Sequence, residues 1–160
     1  MPIRIVQLGS ERAPHEGLRI GTVRRPPRGV AKAEFASRDF YDVWYPELSP
    51  EVETMAIAQE SIKLQDAGQS LEADKLWQQF AKRFRKQLAA QPADRTLDLL
   101  AALSQHSNFS MGCYCELEAR CHRSILRSLL KEKGAFIAPD EIPTPAPDEA
   151  EPEASADNPA

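Results

Sequence analysis

The first part of the chain carries short apolar runs that predict strands. Ile3–Leu8 and Leu18–Val23 are rich in β-branched residues, and Phe40–Tyr45 is an aromatic run that ends at Pro46. Each run has the length and composition of a strand. The nine residues between the first two runs are too few for a helical crossover. We therefore expect these two strands either to form a hairpin or to be non-adjacent in the sheet.

The middle of the chain has helical periodicity. Ser49 and Pro50 form a helix start, and this first helix should end at Gly68. The next helix is predicted by aromatic and apolar residues that recur every three or four positions on one face. These residues are Trp77, Phe80, Phe84 and Leu88.

The remaining pattern adds a helix, a strand and a last helix. We expect a helix over about 94–105, with Leu97, Leu100 and Leu103 facing inward. A strand is predicted at Phe109–Cys115 and a helix at about 119–133. This order of elements predicts an α/β single domain, Rossmann-like, in which helices cover a small, mainly parallel sheet.

Composition divides the chain at residue 138. Residues 138–160 contain six prolines, seven acids, no aromatic residue and no lysine or arginine, which predicts a disordered acidic tail. Residues 1–137, the predicted α/β domain, carry 20 bases and 17 acids, so their formal charge is +3 although the whole chain has −4. That charge is too small for us to expect nucleic-acid binding.

The apolar runs, the cysteines and the N-terminal residues indicate the cellular compartment. No run of 18 apolar residues is present, so we expect no membrane span. The three cysteines are confined to positions 113–121, and the N-terminus lacks the pattern of a secretory signal. Reduced thiols in a cytoplasm are therefore expected. The sequence gives no indication of the oligomeric state.

Reactive residue types cluster where the last predicted strand gives way to the last helix. Ligands bind outside the carboxyl ends of strands in open α/β sheets, and helix N-termini attract anions and lower the pKa of thiols. Cys115 is a nucleophile type, His122 an acid or base, and Arg123 an anion ligand. We expect Cys115 and His122 to be the reactive groups, and Arg123 and Ser124 to contact a ligand.

A second cluster, Arg24–Gly29, follows the second predicted strand. Its arginines lie on a turn that two adjacent prolines stiffen, and guanidinium groups bind phosphate or carboxylate in a fork. If the two strands point the same way, both turns share one edge of the sheet. We then expect Arg25 and Arg28 to bind the same anion as Arg123. The alternative is a solvated basic loop.

The other two cysteines, Cys113 and Cys121, fit the core, where free cysteine usually packs as a small apolar residue. They could also join Cys115 and His122 in a zinc site. The spacing is not that of structural zinc modules, however, and adjacent residues on a helix point about 100° apart. We therefore expect no metal and no cofactor.

Three functional hypotheses follow. The first is a protein that binds an anionic, phosphate-bearing small molecule at the sheet edge. The second is a thiol-dependent hydrolase or transferase, with Cys115 as nucleophile and His122 as base. The third is a non-catalytic interaction protein that acts through its acidic tail. Sequence alone does not decide whether the chain is an enzyme.

The strand followed by Cys115–Ser124, with Cys-x5-Cys-His-Arg-Ser, resembles the C-terminal signature of the bacterial domain of unknown function 488 family. Arg24–Gly29 takes the place of that family's early arginine-, proline- and glycine-bearing turn, although many members resemble Trp-Pro-Arg-Gly there. Trp77–Leu88 is similar to its aromatic helix. The resemblance covers most of Ile3–Gly134. It implies a small α/β fold and a cytoplasmic location, and it implies no established reaction.

Overall fold

The computed structural model describes residues 2–139, and within them four strands form one sheet. The strands are β1 (Ile3–Gln7), β2 (Leu18–Gly21), β3 (Val43–Trp44) and β4 (Phe109–Cys113). Their order is β1-β4-β2-β3, and every neighbouring pair is parallel. The first two strands are therefore non-adjacent rather than a hairpin, because β4 lies between them.

Helices cover one face of this sheet. They are α1 (Val52–Asp66), α2 (Ser70–Ala89), α3 (Ala93–Leu103) and α4 (His122–Glu132). The main core joins alternate strand residues, such as Ile20 and Met111, to buried side chains from each of the four helices. The predicted class, an α/β single domain with a mainly parallel sheet covered by helices, is confirmed.

The helical periodicity identifies the buried face of α2 but not that of α1. Phe80, Phe84 and Leu88 are buried as their spacing predicts. In α1 the buried residues are the small Thr54, Ala58 and Ser61 instead of the large apolar ones. The Ser61 hydroxyl donates a 2.7 Å hydrogen bond to the Ala73 carbonyl. Small side chains let these two helices approach closely.

Loops cover the opposite face of the sheet around a buried ion pair. Arg19 in β2 donates to both carboxylate oxygens of Glu16, over 2.7 and 2.9 Å. The same guanidinium donates to the carbonyls of Ser10 and Asp39. The Ser110 hydroxyl of β4 donates to Glu16 at 2.6 Å. This network connects the loop between β1 and β2 and the loop before β3 to the central strands β2 and β4.

Several predicted elements are shorter than expected. The third strand is limited to Val43–Trp44. Asp42, just before it, bonds to Arg19 through its N–H and through its carboxylate, which accepts the Arg19 N–H. β4 ends at Cys113, which leaves Cys115 in the following loop. Leu103 is exposed rather than inward-facing, because it ends α3.

The last helix begins later than expected. A separate 3-10 turn covers Glu118–Arg120, and Cys121 follows it in extended conformation, with φ −119° and ψ 149°. His122 is the first helical residue. Cys121 therefore lies before the helix and not within it.

The C-terminal end of the described region packs against β1. The Ala138 N–H donates to the Ile3 carbonyl at 2.8 Å, and Ala138 is buried. Nearly all of the predicted disordered tail lies outside the described residues, so it stays a prediction. Between residues 2 and 139, no helix has the length and apolar character that crossing a membrane requires.

Candidate functional site

The candidate site lies at the carboxyl edge of the two central strands. Thr22 follows β2, Cys113 ends β4, and α4 begins at His122. Because β2 and β4 are parallel, their carboxyl ends meet at the same edge. This is the edge at which open α/β sheets bind ligands.

The His122 ring is fixed from two sides. Its Nε2 lies 2.7 Å from the Thr22 carbonyl oxygen, and the Phe84 ring packs edge-on at 5.7 Å between centroids. Since a carbonyl only accepts, Nε2 carries the proton, and Nδ1 of the neutral ring has a free lone pair. Nδ1 lies 3.8 Å from the Cys121 sulfur. The nitrogen available as a base therefore faces Cys121.

The three cysteines form one cluster of free thiols. Cys113 and Cys121 are buried, as the sequence predicts, whereas Cys115 is exposed. The sulfurs of Cys113 and Cys115 lie 3.8 Å apart. Hydrogen bonds with Cys113 and Cys115 lower the pKa of Cys121 in spite of its burial, and hydrogen bonds with Cys115 and Cys121 raise the pKa of Cys113. Negative charge is thus most favourable on Cys121.

Cys115 has the exposure expected of a reactive thiol but not the expected acidity. Its hydrogen bond with Cys113 lowers its pKa, but the hydrogen bond with Cys121 and burial of the sulfur raise that pKa by more. The charge of Arg123 also lowers the pKa of Cys115, but by too little to offset this increase. The thiolate form of Cys115 is therefore not favoured by its surroundings.

Arg123 is a buried cation, only 4 % exposed. Its Nη2 donates to the carbonyls of Cys115 and Glu116, over 2.6 and 3.5 Å, and its Nε has no hydrogen-bond partner. None of the carboxylates in the described part of the chain pairs with it. The Ser124 hydroxyl donates to the Cys121 carbonyl at 2.9 Å, so it stabilises the start of α4.

The Arg24–Gly29 turn contacts this loop through its backbone. The Tyr114 hydroxyl donates to the Arg25 carbonyl at 2.9 Å. The Arg24 guanidinium donates to the Ser49 and Pro50 carbonyls at the entrance to α1.

The side chains of Arg25 and Arg28 are exposed. They make no hydrogen bond or ion pair with any other residue in the range 2–139. The two turns thus lie at one edge, joined by Tyr114–Arg25 and by Thr22–His122. The side chains of Arg25 and Arg28 are not brought into contact with Arg123.

The sequence pattern indicates no site role for Thr22 or Tyr114. Thr22 could have been found as the residue directly after a predicted strand. Tyr41 is buried, its hydroxyl has no partner, and its ring lies 2.4 Å from where a Cβ on Gly21 would stand. No local sequence pattern predicts the contact between Tyr41 and Gly21. Burial raises the pKa of Tyr114 well above its ordinary value.

One comparison with known proteins gives a match. The family model DUF488-N3a, described as the active DUF488-N3 subclade, matches residues 3–134. No curated protein and no solved structure matches the chain. The matched region includes all the strands and helices described above, and with them both turns of the candidate site.

Proposed function

The chain belongs to the DUF488 family, within the subclade that matches residues 3–134, and from that premise we propose that it binds an anionic, phosphate-bearing small molecule at the carboxyl edge of its sheet. The family description calls the subclade active without naming a reaction. The ligand class is inferred from the side chains at this edge.

Arg123 is the observation that carries the proposal. Burying a cation costs several kcal/mol unless a partner compensates for the lost hydration. Arg123 is buried against backbone carbonyls, and its Nε is left without a partner. An anion would supply the missing charge and the missing acceptor. The positive end of the α4 dipole favours an anion at the same place.

Arg25 and Arg28 would complete the binding site from the solvent side. Their turn is held beside the α4 loop by the Tyr114 hydroxyl, and both guanidinium groups are exposed and unpaired within the described region. One guanidinium group donates two parallel hydrogen bonds to two oxygens of a phosphate. A shift of the Arg25 and Arg28 side chains towards Arg123 would therefore enclose a phosphate between the three arginines. Ser124 and Cys115 would then border the ligand.

Thiol-dependent catalysis is the second candidate, and the exposure of Cys115 favours it. The orientation of His122 does not, because its available nitrogen faces Cys121. Alkylation of native protein with iodoacetamide decides this point. Cys115 should react faster than a free cysteine if it is an activated nucleophile, and no faster if it is not. Either chemistry would suit a reducing cytoplasm.

The third hypothesis concerns the acidic tail, which falls almost entirely outside the described residues. It stays a prediction, tested by deleting residues 140–160 and comparing the partners retained by the two chains.

Anion binding is tested by calorimetric titration of the full-length protein with inorganic phosphate, sulfate and a nucleoside diphosphate. Arg123→Ala should weaken binding about 10- to 100-fold, the loss expected for a charged hydrogen bond. Arg28→Ala should weaken it less, because that side chain is exposed. Arg95→Ala, an exposed arginine on α3, is the matched control and should bind like the wild type.

The titration contradicts the proposal under two outcomes. One is the absence of saturable binding by the wild type. The other is an equal loss in Arg123→Ala and Arg95→Ala, which would indicate that only overall charge matters.

A further inference from the structure

The thiols and the imidazole at the sheet edge are close enough to share a single cation. The Cys113 sulfur, the Cys121 sulfur and a ring nitrogen of His122 all lie within 4.8 Å of one another, and all three residues are buried. Cys115 adds a third sulfur, 3.8 Å from that of Cys113. Among the residues the structure describes, no other group of His, Cys, Asp or Glu side chains is arranged in this way.

The distances match tetrahedral coordination. A zinc–sulfur bond is about 2.3 Å, so two thiolates on one tetrahedral ion stand about 3.8 Å apart. The Cys113–Cys115 separation is 3.8 Å, and the separation between Cys121 Sγ and His122 Nδ1 is also 3.8 Å. Small side-chain adjustments would therefore place all four donors around one ion.

His122 already has the orientation of a metal ligand. Imidazoles that bind metals usually donate their second N–H to a carbonyl or carboxylate, which fixes the ring. Here Nε2 donates to the Thr22 carbonyl, so the lone pair of Nδ1 points towards the thiols. Phe84 packs on the ring and limits the access of water.

The expectation of no metal rests in part on Cys121 and His122 being adjacent on a helix. Cys121 is instead extended and precedes the helix. The two side chains are therefore not held about 100° apart, and both reach the end of β4. That region supplies Cys113 as its last strand residue and Cys115 in the loop that follows.

We propose that Cys113, Cys121 and His122 bind a zinc-class divalent cation, with Cys115 as the fourth ligand. Thiolate and imidazole are the donors that select such ions over magnesium or calcium. Each neutral thiol that coordinates releases one proton to solvent. The exposed Cys115 gives the ion a route of entry. This site does not depend on the anion proposal, since the two share only Cys115 and none of the arginines that would bind the anion is a metal ligand.

The test uses full-length, fully reduced, metal-free protein and Co²⁺ as a spectroscopic probe. We expect one Co²⁺ per chain, with the visible bands of a tetrahedral complex and thiolate-to-cobalt charge transfer that Zn²⁺ abolishes. Cys113→Ser, Cys121→Ser and His122→Ala should lose these bands. Cys115→Ser should retain binding at lower affinity. His106→Ala, which removes an exposed histidine outside the cluster, should behave like the wild type.

Buried-site variants can lose metal through misfolding, so a second measurement uses the wild type alone. Zn²⁺ should slow alkylation of all three cysteines, counted by mass spectrometry, and Mg²⁺ should not. The proposal is wrong if the reduced wild type binds neither Co²⁺ nor Zn²⁺, or if Zn²⁺ leaves alkylation unchanged. It is also wrong if His106→Ala removes the cobalt bands as completely as His122→Ala does.

Discussion

The protein buries two arginines whose surroundings differ in kind. Arg19, on the loop-covered face, has a hydrogen bond at each of its three nitrogens, including a two-oxygen contact with Glu16. Arg123, at the carboxyl edge, reaches only backbone carbonyls, and its Nε has no partner. Both are almost inaccessible to solvent, at 0 % and 4 % exposure. Burial alone therefore does not distinguish a structural arginine from one that is available to a ligand.

Buried hydroxyls show the same contrast. Ser110 donates its proton to Glu16, whereas the Tyr41 hydroxyl beside the thiol cluster has no partner. A buried polar group with all its bonds made stabilises the fold, and one without them costs free energy until something binds. We call the Arg19 network closed, because its hydrogen bonds are made, and the carboxyl edge open, because Arg123 and Tyr41 there each keep a buried polar atom without a partner. Substitutions in the two regions should therefore change stability by different amounts, and each change can be measured separately.

The largest effect should come from Glu16→Gln. The substitution removes the only carboxylate partner of Arg19 within residues 2–139 and leaves a buried cation, which costs about 3–5 kcal/mol. Urea denaturation at neutral pH measures the loss. Glu60→Gln is the control, because Glu60 forms an exposed pair with Lys63 and should change the free energy of unfolding by less than about 1 kcal/mol. Equal losses in the two variants would show that the Arg19 site is not closed as described.

Acid should weaken the closed region through the same carboxylate. Burial raises the pKa of Glu16, but hydrogen bonds from Arg19, Ser110 and the Ala13 N–H lower it by a larger amount. The pKa of Glu16 therefore lies below its ordinary value of 4.5. As the pH falls, Glu16 is therefore protonated in the unfolded chain before it is protonated in the folded protein. This stabilisation is complete above pH 4.5 and disappears as the pH falls through the folded-state pKa, with a slope of at most about 1.4 kcal/mol per pH unit for one group.

The measurement is the free energy of unfolding between neutral and acid pH. Glu16→Gln should have the shallower acid slope of the two proteins. Some slope should persist in it, because hydrogen bonds with Arg12 and the Arg19 N–H lower the pKa of Asp42 in spite of its burial. Parallel profiles would contradict the role assigned to Glu16.

The sequence predicted much of the fold because the signals are local. The spacing of Phe80, Phe84 and Leu88 indicates the buried face of α2, and the β-branched runs indicate the strands. The prediction that two turns meet at one sheet edge also needed only strand direction and fold class. Hydrogen bonds at Tyr114 and Thr22 now join those turns.

The remaining features depend on long-range contacts. Arg19 lies in an alternating strand pattern that gives no hint of an ion pair with Glu16 in the preceding loop. The pattern predicts a start of α4 near residue 119, three residues before the observed start, and this would place Cys121 on the helix and direct its side chain away from that of His122. Helix boundaries are the least certain part of a sequence pattern, and here the boundary determines which way a thiol points.

The smallest change in stability should come from Arg123→Met, and this makes it the sharpest probe of the open region. Methionine retains the apolar volume of the side chain, and the Cys115 and Glu116 carbonyls can exchange the lost bonds for water because both residues are exposed. We expect the free energy of unfolding to change by less than about 1 kcal/mol, because an unpaired buried charge is removed. Arg19→Met, measured in parallel, should lose several times more, since it leaves Glu16 buried without its cation. A similar large loss in both variants would mean that Arg123 is a structural residue and that its unpartnered nitrogen does not indicate a ligand.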